Sequence, residues 1–107
     1  MEYKKLPDLK SLAALSAIFE LGGVSEAGKK LNIGQPAISK RIKALEEFYG
    51  VDLVHKEGRK LQLTIAGEKI YQFARLMLDH HLLLFDDLSS LRLQQTRLRL
   101  EVTFSIS

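Results

Sequence analysis

Apolar residues in the first half of the chain recur at helical spacing, and polar punctuation cuts them into three short segments. Leu9, Leu12, Leu15, Ile18 and Phe19 make a stripe at three- and four-residue steps. Asp8 stands before it as an N-cap and Gly22-Gly23 after it as a stop, so the pattern predicts a helix over residues 9–21. Ser25 is expected to cap a second, shorter helix that runs through Leu31 and ends near Asn32. Gly28 lies inside it at a cost of about 1 kcal/mol against alanine, and the expected gain is close approach of a neighbouring helix. A third helix is predicted from Gln35 to Tyr49. Gly34 serves as its N-cap, and Pro36 falls in the first turn, where its missing N–H loses no partner. Ile38, Ile42, Leu45 and Tyr49 fall within about 60° of one another on this helix and define a buried face. The opposite face carries Pro36, Ser39, Lys40, Lys43 and Glu47. Gln35 leads in, Arg41 lies on the other flank, and Gly50 ends the helix.

The period then shortens. Val51 and Leu53, then Leu61 and Leu63 around Gln62, alternate with polar neighbours as in a short hairpin. Glu57-Gly58 is expected to make the turn, with Lys56, Arg59 and Lys60 around the tip. Thr64 caps a fourth helix whose apolar stripe is Ile70, Phe73, Met77, Leu84, Leu88 and Leu91, with His80 or His81 in the remaining slot. Residues 65–92 would span about 42 Å as one helix. That is longer than a small core can cover, so the stripe predicts a partner surface. Residues 92–96 read as a polar break. Leu98, Leu100, Val102, Phe104 and Ile106 then alternate strictly with polar residues, which is a strand signal. A lone strand cannot satisfy its edges. The expectation is therefore a piece of a longer protein in which a sheet-containing domain follows.

At 107 residues, 46% hydrophobic and 27% charged, the chain is sized for one small domain with additional helix. The net charge of +3 is modest, but it is not evenly spread. Residues 29–43 hold Lys29, Lys30, Lys40, Arg41 and Lys43 and no acid, whereas residues 64–107 balance five cations against five acids. A localised basic patch points to a polyanion. The lack of cysteine excludes a disulfide framework and thiolate chemistry, which suits a reducing cytoplasm. No apolar run reaches about 18 residues, and "MEYKKLPDLK" lacks the core of a signal peptide, so neither membrane span nor leader is expected.

Enzymatic readings find little support. His80 and His81 are adjacent and point about 100° apart on a helix, with no cysteine and no suitably spaced third ligand for a metal. Asp86 and Asp87 diverge in the same way, and no glycine-rich phosphate loop is present.

Two short helices, a tight turn, a helix exposing small polar and cationic side chains, then a basic hairpin: this is the order of a winged helix-turn-helix. An α-helix fits the major groove of B-DNA, where its N-terminal residues meet base edges and flanking cations meet phosphates. Gln35 can donate to and accept from adenine N6 and N7, and Lys40 can donate to guanine O6 or N7. Each residue also has a plainer explanation. Pro36 starts helices, Ser39 can return its hydroxyl to the preceding turn, and Lys43 can pair with Glu47 at i,i+4. The ordered combination carries the DNA reading.

"QPAISKRIKALEE", followed by "GVDL" and then "LTIAG", runs in one uninterrupted order. Over about residues 6–92 the chain resembles the N-terminal DNA-binding region of the LysR-type transcriptional regulators. The resemblance implies a mainly α fold with three parts: a winged helix-turn-helix over residues 1–63, a dimerising linker helix over 64–93, and over 94–107 the start of a C-terminal effector-binding domain of the periplasmic-binding-protein type. Carried over by position, Gln35, Pro36, Ser39 and Lys40 look like groove-facing residues. Ser25, Arg41, Lys56, Arg59 and Lys60 look like backbone contacts, with Lys43 beside them. Val24, Gly28, Gly34 and Lys56 depart from the family pattern, which commonly has an aromatic, Ala, Ser or Thr, and Arg at those places. The implied function is sequence-specific regulation of transcription in the bacterial cytoplasm. The implied partners are double-stranded DNA and a second copy bound through Ile70, Phe73, Met77, Leu84, Leu88 and Leu91, with a tetramer as an option for the full-length protein, and no membrane. No cofactor is expected in these residues, and a small-molecule effector is expected in the domain that follows. Two alternatives stay open: a stand-alone winged-helix repressor of another family, and a winged-helix protein-interaction module.

Overall fold

Asp8 opens the first helix as the pattern predicts. Its Oδ1 accepts from the Lys10 amide at 3.0 Å, and helix α1 runs Leu9–Leu21. Gly22 closes it at φ 88°, a left-handed conformation that costs glycine little. The protein is seen here in a computed structural model that describes residues 5–105, with side chains through residue 100. Helices α2 (Val24–Leu31) and α3 (Gln35–Tyr49) follow. An antiparallel hairpin of β1 (Val54–Glu57) and β2 (Lys60–Leu63) then leads into α4 (Ile65–Ser105).

Gly23, not Ser25, is the N-cap of α2, and no side chain caps that helix. Val24 packs against the core as the first helical residue, so the helix starts earlier than a serine cap would allow and leaves Ser25 exposed in its first turn. Gly28 does admit a close approach, but of the α2–α3 turn rather than of a helix. A Cβ there would lie 2.8 Å from the Ile33 carbonyl oxygen, and the Ile33 amide donates to the Gly28 carbonyl at 2.9 Å. Asn32 takes the left-handed position of that turn at φ 56°.

The core joins Leu12, Leu15 and Ile18 of α1, Ala27 of α2, Ile38, Ile42 and Leu45 of α3, Leu53, and Ala74 of α4. Leu12, Leu15, Ile38, Leu45 and Leu53 are fully enclosed, and each such side chain contributes about 2 kcal/mol by leaving water. Tyr49, at the end of the α3 face, is only partly buried.

The hairpin pairs Val54 with Leu63, His55 with Gln62, Lys56 with Leu61 and Glu57 with Lys60. Its two-residue turn is therefore Gly58-Arg59, one residue later than expected, with Gly58 at φ 65° supplying the left-handed position. Thr64 caps α4 from both sides. Its hydroxyl accepts from the Gly67 amide at 3.0 Å and donates to the Asp52 carbonyl at 2.6 Å.

Helix α4 does not stop near residue 92. The expected break and the expected strand over 98–106 are helical through Ser105, and Ile106 lies outside the described residues. Two physical reasons favour the helix. Residues 92–100 are mostly leucine, arginine and glutamine, with no glycine or proline. A helix also satisfies each backbone group within itself, whereas a strand here would have no neighbour. The polar stretch is absorbed rather than breaking the helix, with the Thr96 hydroxyl donating back to the Arg92 carbonyl at 3.1 Å. No helix among the described residues is long and apolar enough to cross a membrane.

Candidate nucleic-acid interface

Burial of Ile38, Ile42 and Leu45 fixes the rotation of α3 about its axis. Gln35, Pro36, Ser39, Lys40 and Lys43 must then face outward, and all five are exposed. The Gly34 carbonyl accepts from the Ala37 and Ile38 amides, and no side chain caps the helix. The front of α3 is thus narrow, with nothing bulky between its backbone and an approaching ligand.

Between α3 and the hairpin lies an open cleft of about 510 Å³. Gln35, Ser39 and Lys43 line it from α3, and Lys56 and Arg59 line it from the wing, over an apolar floor that includes Ile42, Val54 and Leu61. Five of the predicted residues, from two elements far apart in sequence, therefore converge on one groove. Ser25 and Gln35 share a second hollow at the α2–α3 turn, with Lys29 on its rim. Lys40 and Arg41 border a third, with Asp8 opposite. Pro36 and Lys60 are exposed outside these three hollows.

Among the described residues, no ion pair involves Lys40, Lys43, Lys56, Arg59 or Lys60, so their charge faces solvent. Arg41 differs. Its guanidinium lies 3.6 Å from Asp8 Oδ2 and turns toward the start of α1. Sequence reasoning also missed Glu46. Its Oε2 accepts from the Leu53 amide at 2.9 Å and ties the end of α3 to the segment entering the wing. Periodicity carries no signal for such a contact, because both partners sit at element ends.

The expected pairing stripe on α4 lies open. Ile70 is half-buried, while Phe73, Met77, Leu84, Leu88 and Leu91 are 38%, 36%, 53%, 54% and 53% exposed. The face of α4 that meets the core is marked by Gly67 and Ala74, both buried, and of the stripe Ile70 packs at its edge.

The family model described as "Bacterial regulatory helix-turn-helix protein, lysR family" matches residues 9–68. The chain belongs to the LysR family. The match spans α1 to the first turn of α4 and sets aside a winged-helix repressor of another family. An uncharacterized HTH-type transcriptional regulator from the ibpB-leuC intergenic region of Azotobacter vinelandii is 49% identical over 63 residues, covering 59% of this chain and 44% of the relative. The AhcY transcriptional activator HvrB of Rhodobacter capsulatus is 34% identical over 103 residues, covering 96% of this chain and 34% of the relative. This LysR-family chain thus spans less than half the length of these two relatives, which are transcriptional regulators and not enzymes. Among solved structures, the BenM DNA-binding domain in complex with catB site 1 DNA superposes with a TM-score of 0.70 at 30% identity, over 74% of this chain and 88% of that one. Full-length LysG of Corynebacterium glutamicum, with bound effector arginine, superposes with a TM-score of 0.70 at 32% identity, over 78% of this chain and 28% of that one.

Proposed function

We propose that this chain is the DNA-binding and pairing part of a sequence-specific transcriptional regulator. Helix α3 enters the major groove with Gln35, Pro36, Ser39 and Lys40 against base edges. Ser25 at the α2–α3 hollow, Lys43, and Lys56, Arg59 and Lys60 of the wing meet phosphates, and Arg41 can join them by leaving Asp8. The observation that carries this reading is the α3–wing groove, where unpaired cations from two elements surround the exposed N-terminal half of a helix. The BenM complex supports it, because that domain shares the fold and holds DNA.

Two chains pair through the open stripe of α4, which gives the assembly a two-fold axis and a pseudo-palindromic site. The longer relatives support a domain beyond this chain. LysG, with its bound arginine, supports a small-molecule effector there rather than a cofactor within these residues. The cell compartment consistent with such a function is the bacterial cytoplasm.

The test is a titration of the chain against random and selected duplexes at several salt concentrations. Four unpaired cations per subunit (Lys43, Lys56, Arg59 and Lys60) neutralise about eight phosphates in a dimer, for a log–log slope of about −7. Lys40→Ala and Gln35→Ala should each cost about 1–3 kcal/mol on the selected site and relax preference there, while Lys60→Ala weakens all sequences alike. A slope near zero would overturn the proposal in favour of a protein-interaction module.

A further inference from the structure

We propose that Glu20, Tyr71 and Arg75 form a strut that fixes the angle between the helix-turn-helix and α4, and so sets the half-site spacing that a pair of these chains accepts. The inference rests on the DNA-binding reading above and adds residues that touch no DNA.

Helix α4 meets the rest of the chain chiefly along α1 and around Leu53, and the closest approach is made by small residues, with Ile70 packed beside them. Gly67 lies against the Leu53 backbone, and Ala74 is fully buried. Small side chains bring backbones close but offer little to resist swivelling, which leaves Ile70 as the larger apolar side chain of α4 packed on the core there. The polar contact lies beside this crossing, at the C-terminal end of α1. Tyr71 and Arg75 are four residues apart and share one face of α4. The Tyr71 hydroxyl donates to Glu20 Oε1 at 2.7 Å, and the Arg75 guanidinium donates to the same oxygen. A second Arg75 nitrogen reaches Asp79 Oδ2 at 3.9 Å, which holds the guanidinium along α4. The Phe19 ring packs on Tyr71 with centroids 4.5 Å apart and planes tilted by 54°. One carboxylate is therefore gripped from two successive turns of α4. The end of α1 cannot slide by a turn or swing sideways without releasing both donors. The Tyr71 hydroxyl, and then Arg75, hold the Glu20 carboxyl below the usual carboxylate range, so the grip is ionic at neutral pH.

Past Leu78 almost every described side chain of α4 is exposed, so the angle set at Glu20 is corrected by no later contact within the chain. In a pair joined through α4, that angle decides where each α3 stands relative to the two-fold axis. Adding one base pair between half-sites moves them about 3.4 Å apart and turns one by about 35°. A stiff joint cannot follow this change; a loose one can.

The experiment uses the whole chain. A preferred duplex is selected from a random library, and its spacer is then lengthened and shortened by one and two base pairs. The wild type should lose about tenfold or more per base pair of change, and Glu20→Ala about threefold or less, with isolated half-site affinity unchanged. Glu20→Gln, which still accepts from both donors, should return toward the wild-type profile. The double variant Tyr71→Phe with Arg75→Gln keeps the ring packing and should reproduce Glu20→Ala, which guards against a folding artefact in either. A wild-type spacer profile in Glu20→Ala and in the double variant overturns the strut while leaving DNA binding intact. Wild-type chain that binds no duplex overturns the DNA reading and the strut with it.

Discussion

Replacing Gly67 with alanine should destabilise the protein, although alanine is the better helix former. Gly67 sits in the first turn of α4, and its amide donates to the Thr64 hydroxyl. A Cβ at this position would lie 2.0 Å from the Leu53 carbonyl oxygen and 3.2 Å from Leu63 Cδ2. The oxygen would have to retreat by more than about 1 Å to reach ordinary contact distance. It is not free to do so, because it accepts from the Thr64 amide at 3.0 Å, and the neighbouring Asp52 carbonyl accepts from the Thr64 hydroxyl. Helix propensity favours alanine by about 1 kcal/mol. Against that stand about 1–3 kcal/mol for overpacking a filled site and about 1 kcal/mol for each of the two hydrogen bonds that must stretch. The net loss is about 2–4 kcal/mol, which lowers Tm by about 10–30 °C in a domain of this size. Thermal melts followed by circular dichroism check it, at matched protein concentration because pairing also moves Tm. An unchanged or raised Tm would refute the claim that α4 is seated on the Leu53 backbone.

Thr64→Val keeps the shape of the cap and removes its hydroxyl, so melts should show a loss of about 1–2 kcal/mol. Leu84→Asp places a carboxylate in the middle of the open α4 stripe. Sedimentation equilibrium at tens of micromolar should show self-association weakened on the order of a hundredfold with the helix-turn-helix still folded. Acid should act partly through Glu20, whose carboxyl is held low by Tyr71 and then Arg75. A depressed folded-state pKa adds stability that is fully present above the unfolded value of about 4.3 and is lost as pH falls through the folded value. Wild-type melts should therefore drop more between about pH 5 and about pH 3 than those of Glu20→Gln, by a small margin because the pair faces solvent.

The helix-turn-helix was legible because its signals are local. Asp8, Gly22, Gly34 with Pro36, and Gly50 each mark an end by their own backbone chemistry, and the spacing of Ile38, Ile42 and Leu45 orients α3 without reference to other elements. That orientation is also why the exposed residues Gln35, Ser39 and Lys43 were found. The misses share one cause, since each depends on a contact made elsewhere. Leu98 and Leu100 alternate as a strand would, but alternation describes a strand only when a neighbour accepts its hydrogen bonds, and α4 continues instead. The wing turn falls at Gly58-Arg59 because pairing sets the register. That α1 brings Asp8 beside Arg41 has no local sign in the sequence either. Glu20 and Tyr71 are 51 positions apart, beyond the reach of any periodic pattern.

The length of α4 ties helix formation to concentration. Only its first few turns rest on the core; from Leu82 to Leu100 the large apolar side chains are more than half exposed. A helical segment without tertiary support has its own propensities and the Thr64 nucleus to hold it, and such segments are marginal in water. If two chains pair through α4 as proposed, the distal turns unwind toward coil below the concentration at which they meet, and above it each chain supplies the apolar face the other lacks. Ellipticity per residue should therefore rise with protein concentration along the same curve as molecular mass, and a solution too dilute to pair contains shorter rods.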